Sequence, residues 1–352
     1  MIDPVPVADA FLPSVFVFTV KRPKSAGQRF KSVRRFDSFL FIAYGLWHFF
    51  PMRKLLMVFL TGFSVASAVP DLQKIKDIDY VGDANPRQTL DLYLPKEKAE
   101  SASPVLLWIH GGAWRKGSKD RPGRALKAAG LNCVIASVNY RLTQEESWPA
   151  QVHDCKAALR WVRANAKKYH FDPDRIVIWG ASAGGHLATF LGATQNHPKL
   201  DGKLGSNLDQ STSVKAIVNF YGPTDFLLMN DQGSSMDHNA ASSPEGLLLG
   251  GQVSSLKTKA KVASPFHQIS KDDAPILTVH GTKDPLVPYQ QGKALDEKLD
   301  ELKVPSILLS VAEGGHGKGF GVSVDRGVIE FLRHHFFDEE LGLADKTVKA
   351  NE

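Results

Sequence analysis

The chain has 352 residues, long for one domain but within the span of a single α/β unit. An apolar fraction of 43% and a charged fraction of 23% are ordinary for a globular protein. The net charge of +6 does not mark a binder of nucleic acid or anionic membrane. Residues 1–68 hold nine of the 43 Lys/Arg and three of the 37 Asp/Glu, which leaves 34 of each sign in a neutral remainder.

The basic leader has its own pattern. Met52-Arg53-Lys54 is a short basic start, residues 55–65 are an apolar core of signal-peptide length, and Ala66-Ser67-Ala68 is an A-x-A cleavage site. The expectation is export through a cleaved signal peptide over residues 52–68, with translation starting at Met52 and residues 1–51 an over-extended start. The rival is an uncleaved anchor built from residues 39–50 and 55–65. Pro51 and the Arg53-Lys54 pair interrupt it at its middle, which a bilayer core tolerates poorly. Membrane contact is expected only if the leader stays attached.

From about residue 75, short β-rich runs alternate with helical ones. Residues 88–94 alternate and read as a strand, and 105–110 form an apolar strand that runs into His110-Gly111-Gly112-Ala113-Trp114. Residues 121–129 read as a short helix and 133–139 as a strand. Residues 149–169 read as one long amphipathic helix with Val152, Ala158, Leu159 and Val162 on its inner face. The run 175–179 is a strand that meets a sharp Gly180-Ala181-Ser182-Ala183-Gly184 turn, followed by helical sequence. Strands follow at 214–220, 275–280 and 306–311; helices follow at 290–302 and 322–336. Apolar strands alternating with helices imply a mainly parallel sheet covered on both faces. Residues 199–213 read as a surface loop, 224–263 as an insert that forms a lid or pocket wall, and the charged tail 338–352 as frayed. Cys133 and Cys155 read as two buried free thiols, and no metal site or cofactor is expected.

Four parts are needed for a serine to cleave an ester: a nucleophile, a base, an acid that orients the base, and donors for the oxyanion. Ser182, at the apex of a strand–turn–helix, is the nucleophile candidate. His316, in Glu313-Gly314-Gly315-His316-Gly317 just past an apolar strand, is the base candidate; imidazole exchanges protons near neutral pH. The other histidines have blander readings, and His186 lies one helical turn beyond Ser182, facing the wrong way. Asp284, just past the strand 275–280, is the favoured acid, with Asp225 as competitor. The backbone N–H of Ala183 and those of the Gly111-Gly112 loop are the oxyanion donors, each worth roughly 3 kcal/mol of barrier. Trp114 and Tyr221 are candidates for the substrate pocket.

This order of strand–HGG(A)W, strand–GxSxG–helix, Asp and His resembles the α/β-hydrolase fold over residues 75–337. His110-Gly111-Gly112-Ala113-Trp114 and Gly180–Gly185 are similar to the esterase/lipase branch related to hormone-sensitive lipase. Asn139-Tyr140-Arg141-Leu142, Asp154-Cys155-Lys156-Ala157-Ala158-Leu159-Arg160-Trp161 and Phe171-Asp172-Pro173-Asp174-Arg175 look closest to small bacterial esterases of the feruloyl and acetyl-xylan type. The resemblance implies a Ser182–Asp284–His316 triad, oxyanion donors at Gly111, Gly112 and Ala183, and short or carbohydrate-linked acyl esters as substrates. Ala113 stands where the lipase relatives usually carry Gly, so activity on tertiary-alcohol esters is not expected. A serine peptidase of the same fold is the nearest alternative, although the leader has no room for the propeller such enzymes carry. A non-catalytic ligand-binding homologue would lack a triad member, and each is represented.

Overall fold

The computed structural model describes residues 71–97 and 99–352, so the leader and its signal-peptide reading lie outside the described residues. Among the described residues, no helix is long and apolar enough to cross a membrane.

Among the described residues, nine strands form one sheet in the order β1-β2-β4-β3-β5-β6-β7-β8-β9. They are β1 (Leu72–Asp79), β2 (Thr89–Pro95), β3 (Ser103–Ile109), β4 (Val134–Val138), β5 (Phe171–Ala181), β6 (Ala216–Phe220), β7 (Ile276–Gly281), β8 (Ser306–Ala312) and β9 (Lys346–Lys349). β2 pairs antiparallel with both β1 and β4, and every pairing from β4 to β9 is parallel. The strands read as apolar runs because helices cover both faces. α1 (Ala150–Ala164), α3 (Ala183–Gly192) and α6 (Tyr289–Leu302) contribute Val152, Leu159, Leu187 and Leu295 to the core on one face. α7 (Val322–Phe337) and a 3-10 helix (Gly123–Leu131) contribute Val328, Phe331 and Ala128 to the other.

Three expectations need correction. The helix read as 149–169 breaks at Asn165, with α2 (Ala166–Tyr169) as a separate turn. The Asn165 amide donates to the Trp161 carbonyl (2.9 Å), a local bond that competes with helix continuation. The tail is not frayed. β9 docks parallel to β8, Val348 is buried, and the Glu352 carbonyl accepts from the Ser323 amide (2.8 Å). β1 was not foreseen, so the sheet outruns the 75–337 boundaries at both ends. The 199–213 segment is a surface loop, as expected, pinned by Asp201 to the buried Lys156 (2.5 Å). Cys133 and Cys155 are buried and free.

The motifs beside the nucleophile prove to be braces. Asp154 of α1 accepts a two-pronged pair from Arg141, with Nη2 at 2.8 Å, and a further bond from the Gln88 amide (2.8 Å). Asn139 accepts from the Lys119 amide (2.8 Å), and Arg175 ties the start of β5 to the carbonyls of Ala102 (2.9 Å) and Phe336 (3.1 Å).

Candidate active site

Ser182 occupies the turn between β5 and α3 with φ 56° and ψ −121°. A positive φ is strained for a residue with a Cβ and persists only where the surroundings over-determine it. Here the Ser182 amide donates to the Phe220 carbonyl (2.8 Å), and its own carbonyl accepts from the His186 amide (3.0 Å). Glycine is required on both sides. A Cβ at Gly180 would stand 2.0 Å from the Gly184 carbonyl oxygen, and one at Gly184 would stand 2.1 Å from that of Ile109.

His316, in the loop after β8, brings Nε2 to 2.9 Å from Ser182 Oγ and Nδ1 to 2.7 Å from Asp284 Oδ2. Asp284 lies just past β7, and its other oxygen accepts from the amides of Leu286 (2.9 Å) and Val287 (3.0 Å). Burial alone would raise the Asp284 pKa; hydrogen bonds from His280 and His316 outweigh it and hold the carboxyl well below its usual range. His280 was not foreseen as part of the site. Its Nε2 bonds the Val287 carbonyl (2.9 Å) and lies 3.5 Å from Asp284 Oδ2. The competitor Asp225 pairs with His267 instead, at 3.0 Å.

The HGG loop passes directly against this turn. A Cβ on Gly111 would fall 3.2 Å from that of Ser182 and 2.6 Å from the Ala181 carbonyl oxygen. Gly112 has φ +118°, and its carbonyl is occupied by the amides of Arg115 and Lys116 (3.1 Å each). Ala113 and Trp114 follow in left-handed conformations, φ 57° and 55°. The amides of Gly111, Gly112 and Ala113 donate to no group among the described residues. Ala183 opens α3, where an N–H has no intrahelical acceptor. The loop is held by His110, which stacks on Tyr140 at 4.3 Å, and by the Tyr140 hydroxyl, which donates to the His110 carbonyl (3.0 Å).

Ser182, Ala183 and His316 face a cavity of about 80 Å³. Trp114 lines it, edge-on to His186 (5.1 Å) and Phe226 (5.6 Å). The insert 224–263 supplies a wall from Met236, His238, Pro244 and Glu245, in line with the pocket-wall expectation. Tyr221 is placed differently from the expectation: its ring packs edge-on against His316 at 4.5 Å and does not line the cavity. Ala113, His238 and Glu245 were missed as cavity residues, because nothing in their local pattern distinguishes them from loop positions.

Three other histidines are structural. Burial pushes His110, His186 and His335 down to about 4. His186, the nearest in sequence to Ser182, gives its Nε2 to the Ala263 carbonyl (2.8 Å) and stacks on Phe226. The unfolded chain takes up protons on these groups as pH falls below about 6.5, while the folded chain does not until about pH 4. Stability therefore falls with pH across that window, by up to about 1.4 kcal/mol per pH unit for each histidine. Urea unfolding between pH 4 and 7 checks this; replacing His335 by Leu is expected to flatten the slope by one proton. A stability curve that does not fall from pH 6.5 to 4 contradicts the assignment.

A mainly parallel sheet with a serine on a strand–helix elbow and Asp and His on later loops defines the α/β-hydrolase fold. Residues 90–299 match the BD-FAE family model, and the chain belongs to that family. It is similar to the esterase LipC of Mycobacterium tuberculosis, 30% identical over 236 residues that cover 66% of this chain and 57% of the relative. It is also similar to the probable carboxylic ester hydrolase LipM of the same organism, 33% identical over 229 residues, 64% of this chain and 52% of the relative. The chain thus spans a little over half the length of these curated relatives. Among solved structures, a truncated carbohydrate esterase from gut microbiota superposes with a TM-score of 0.68 at 33% identity, over 75% of this chain and 96% of the other.

Proposed function

We propose that the protein is a serine carboxylic ester hydrolase that forms an acyl-enzyme at Ser182. The unbroken run from Ser182 Oγ through His316 to the buried Asp284 carboxylate, open to a cavity, carries this reading. His316 Nε2 takes the Ser182 proton as Oγ attacks the ester carbonyl, and returns it to the leaving alcohol; water then repeats the cycle on the acyl-serine. Asp284 keeps the proton of neutral His316 on Nδ1 and balances the charge when Nε2 is protonated. The free amides of Gly111, Gly112 and Ala183 are the proposed oxyanion donors, with Ala113 beside them in the cavity wall. The esterase names of LipC and LipM support the reading.

Short acyl groups, including those on carbohydrates, are the proposed substrates. A cavity of about 80 Å³ leaves room for a few heavy atoms beside Ser182. With para-nitrophenyl esters, kcat/KM is expected to fall about 10-fold or more from acetate to octanoate, because extra methylenes must either displace packed side chains or extend into solvent. Equal efficiency on both chains contradicts this substrate range. The signal-peptide pattern supports export as the proposed location, and amino-terminal sequencing of the mature protein should begin at Val69. A mature protein that begins at Met52 or earlier contradicts cleavage.

A further inference from the structure

The insert places one polar pair in an otherwise mostly apolar cavity wall. His238 and Glu245, only 2% and 3% exposed, stand together there. His238 Nδ1 is 2.8 Å from Glu245 Oε2, and Nε2 is 2.9 Å from the Leu286 carbonyl and 2.7 Å from Ser234 Oγ. A carbonyl only accepts, so Nε2 must donate to it; Nδ1 faces a carboxylate, so the pair as a whole shares one further proton. With that proton on the ring, the pair is a buried imidazolium–carboxylate. Burial opposes the charged ring, but the bonds to Glu245 and Leu286 prevail and leave the His238 pKa raised. Glu245 is held from behind as well: it lies in the first turn of α4 (Pro244–Leu249), whose Ser243 cap accepts from the Gly246 amide (2.9 Å) and donates to the His238 carbonyl (2.8 Å).

Only one oxygen of this carboxylate is used. Oε1 has no hydrogen-bond partner among the described residues, while Glu245 lines the same cavity as Ser182 and His316. Oε1 is not among the fully buried unpaired atoms, so it stays open to the cavity, where a substrate hydroxyl can donate to it in place of water. We propose that Glu245, positioned by His238, is a specificity-determining residue that accepts a hydrogen bond from a hydroxyl of the bound ester. Substrates of this site would then be hydroxyl-bearing short-chain esters: partly acylated polyols, or esters of hydroxy acids. The inference rests on the ester-hydrolase reading above. It adds a reason for the insert to bury two ionisable side chains next to the nucleophile, where apolar residues would fill the space without desolvating charge.

The test compares substrates that differ in one hydroxyl. Glycerol monoacetate carries it on the alcohol side, ethyl glycolate on the acyl side, and ethyl acetate has none. The readout is kcat/KM of each hydroxylated ester divided by that of ethyl acetate, for wild type, Glu245→Gln and Glu245→Leu. At least one ratio is expected to drop about 10-fold or more in Glu245→Leu, the size of a hydrogen bond to a charged group, and less in Glu245→Gln, which keeps a carbonyl acceptor. The side whose ratio drops identifies the position of the hydroxyl. A loosened fold would lower all three substrates together and leave the ratios in place. Should Glu245→Leu fail to fold, the near-isosteric Glu245→Gln carries the same comparison. Unchanged ratios in every folded variant overturn the inference while leaving the esterase reading intact. That reading fails separately, if wild type and Ser182→Ala hydrolyse para-nitrophenyl acetate alike.

Discussion

Replacing Ser182 with alanine is expected to lower kcat on para-nitrophenyl acetate by about 10⁶-fold, the loss seen when a triad serine is removed. The size of the effect follows from the geometry. His316 Nε2 has Ser182 Oγ at 2.9 Å as its partner in the cavity, so without Oγ the base has no nucleophile to activate. The proposed oxyanion amides and the cavity remain, and they sustain only slow attack by water. A fluorophosphonate probe should add its mass to Ser182 in the wild type and leave Ser182→Ala unlabelled. The alanine variant should keep the wild-type unfolding midpoint, because it retains the Cβ and the amide that bonds Phe220. Activity within 10-fold of wild type in the folded variant would remove Ser182 from the mechanism.

Asp284→Asn is expected to cost about 10⁴-fold in kcat, by reversing the His316 tautomer. The Leu286 and Val287 amides both point at Oδ1, so the side-chain oxygen of asparagine stays there and the NH₂ takes the place of Oδ2. That NH₂ faces His316 Nδ1 at the position now 2.7 Å away, which makes Nδ1 an acceptor and moves the proton to Nε2. An Nε2–H cannot take the serine proton. Asp225→Asn, by contrast, touches the carboxylate that pairs with His267, and turnover should stay within the same order of magnitude. A larger loss in Asp225→Asn than in Asp284→Asn would reverse the assignment. Steady-state kinetics on one ester measure both.

The parallel strands and the candidate residues Ser182, Asp284 and His316 were legible in the amino-acid order. β3 and β5 to β8 are covered on both faces, so each reads as an apolar run, and the motif residues Ser182, Asp284 and His316 fall just after β5, β7 and β8. The edges were not legible. β1, Leu-Gln-Lys-Ile-Lys-Asp-Ile-Asp, is half-exposed and charged, and β9, Lys-Thr-Val-Lys, buries Val348 alone. Edge strands carry little apolar signal because one side faces solvent. Asp284 was favoured over Asp225, but local sequence could not decide between them. Both follow a strand, and only the three-dimensional path of the loops puts one beside His316 and the other beside His267.

What the amino-acid order determined by itself was the mainly parallel sheet, the strained serine turn and the candidate residues for acyl transfer. Each of these is local, written in a strand, a glycine pair or a loop of a few residues. The cavity was decided by tertiary structure alone. His238 and Glu245 come from an insert without periodic pattern, and Tyr221 leaves the pocket for the back of His316. Whether a histidine and a glutamate 7 residues apart are solvated loop residues or a buried pair depends on what packs over them, here the Leu286 carbonyl and the walls around Ser182. Burial is a property of distant segments meeting, and no short window of sequence contains it.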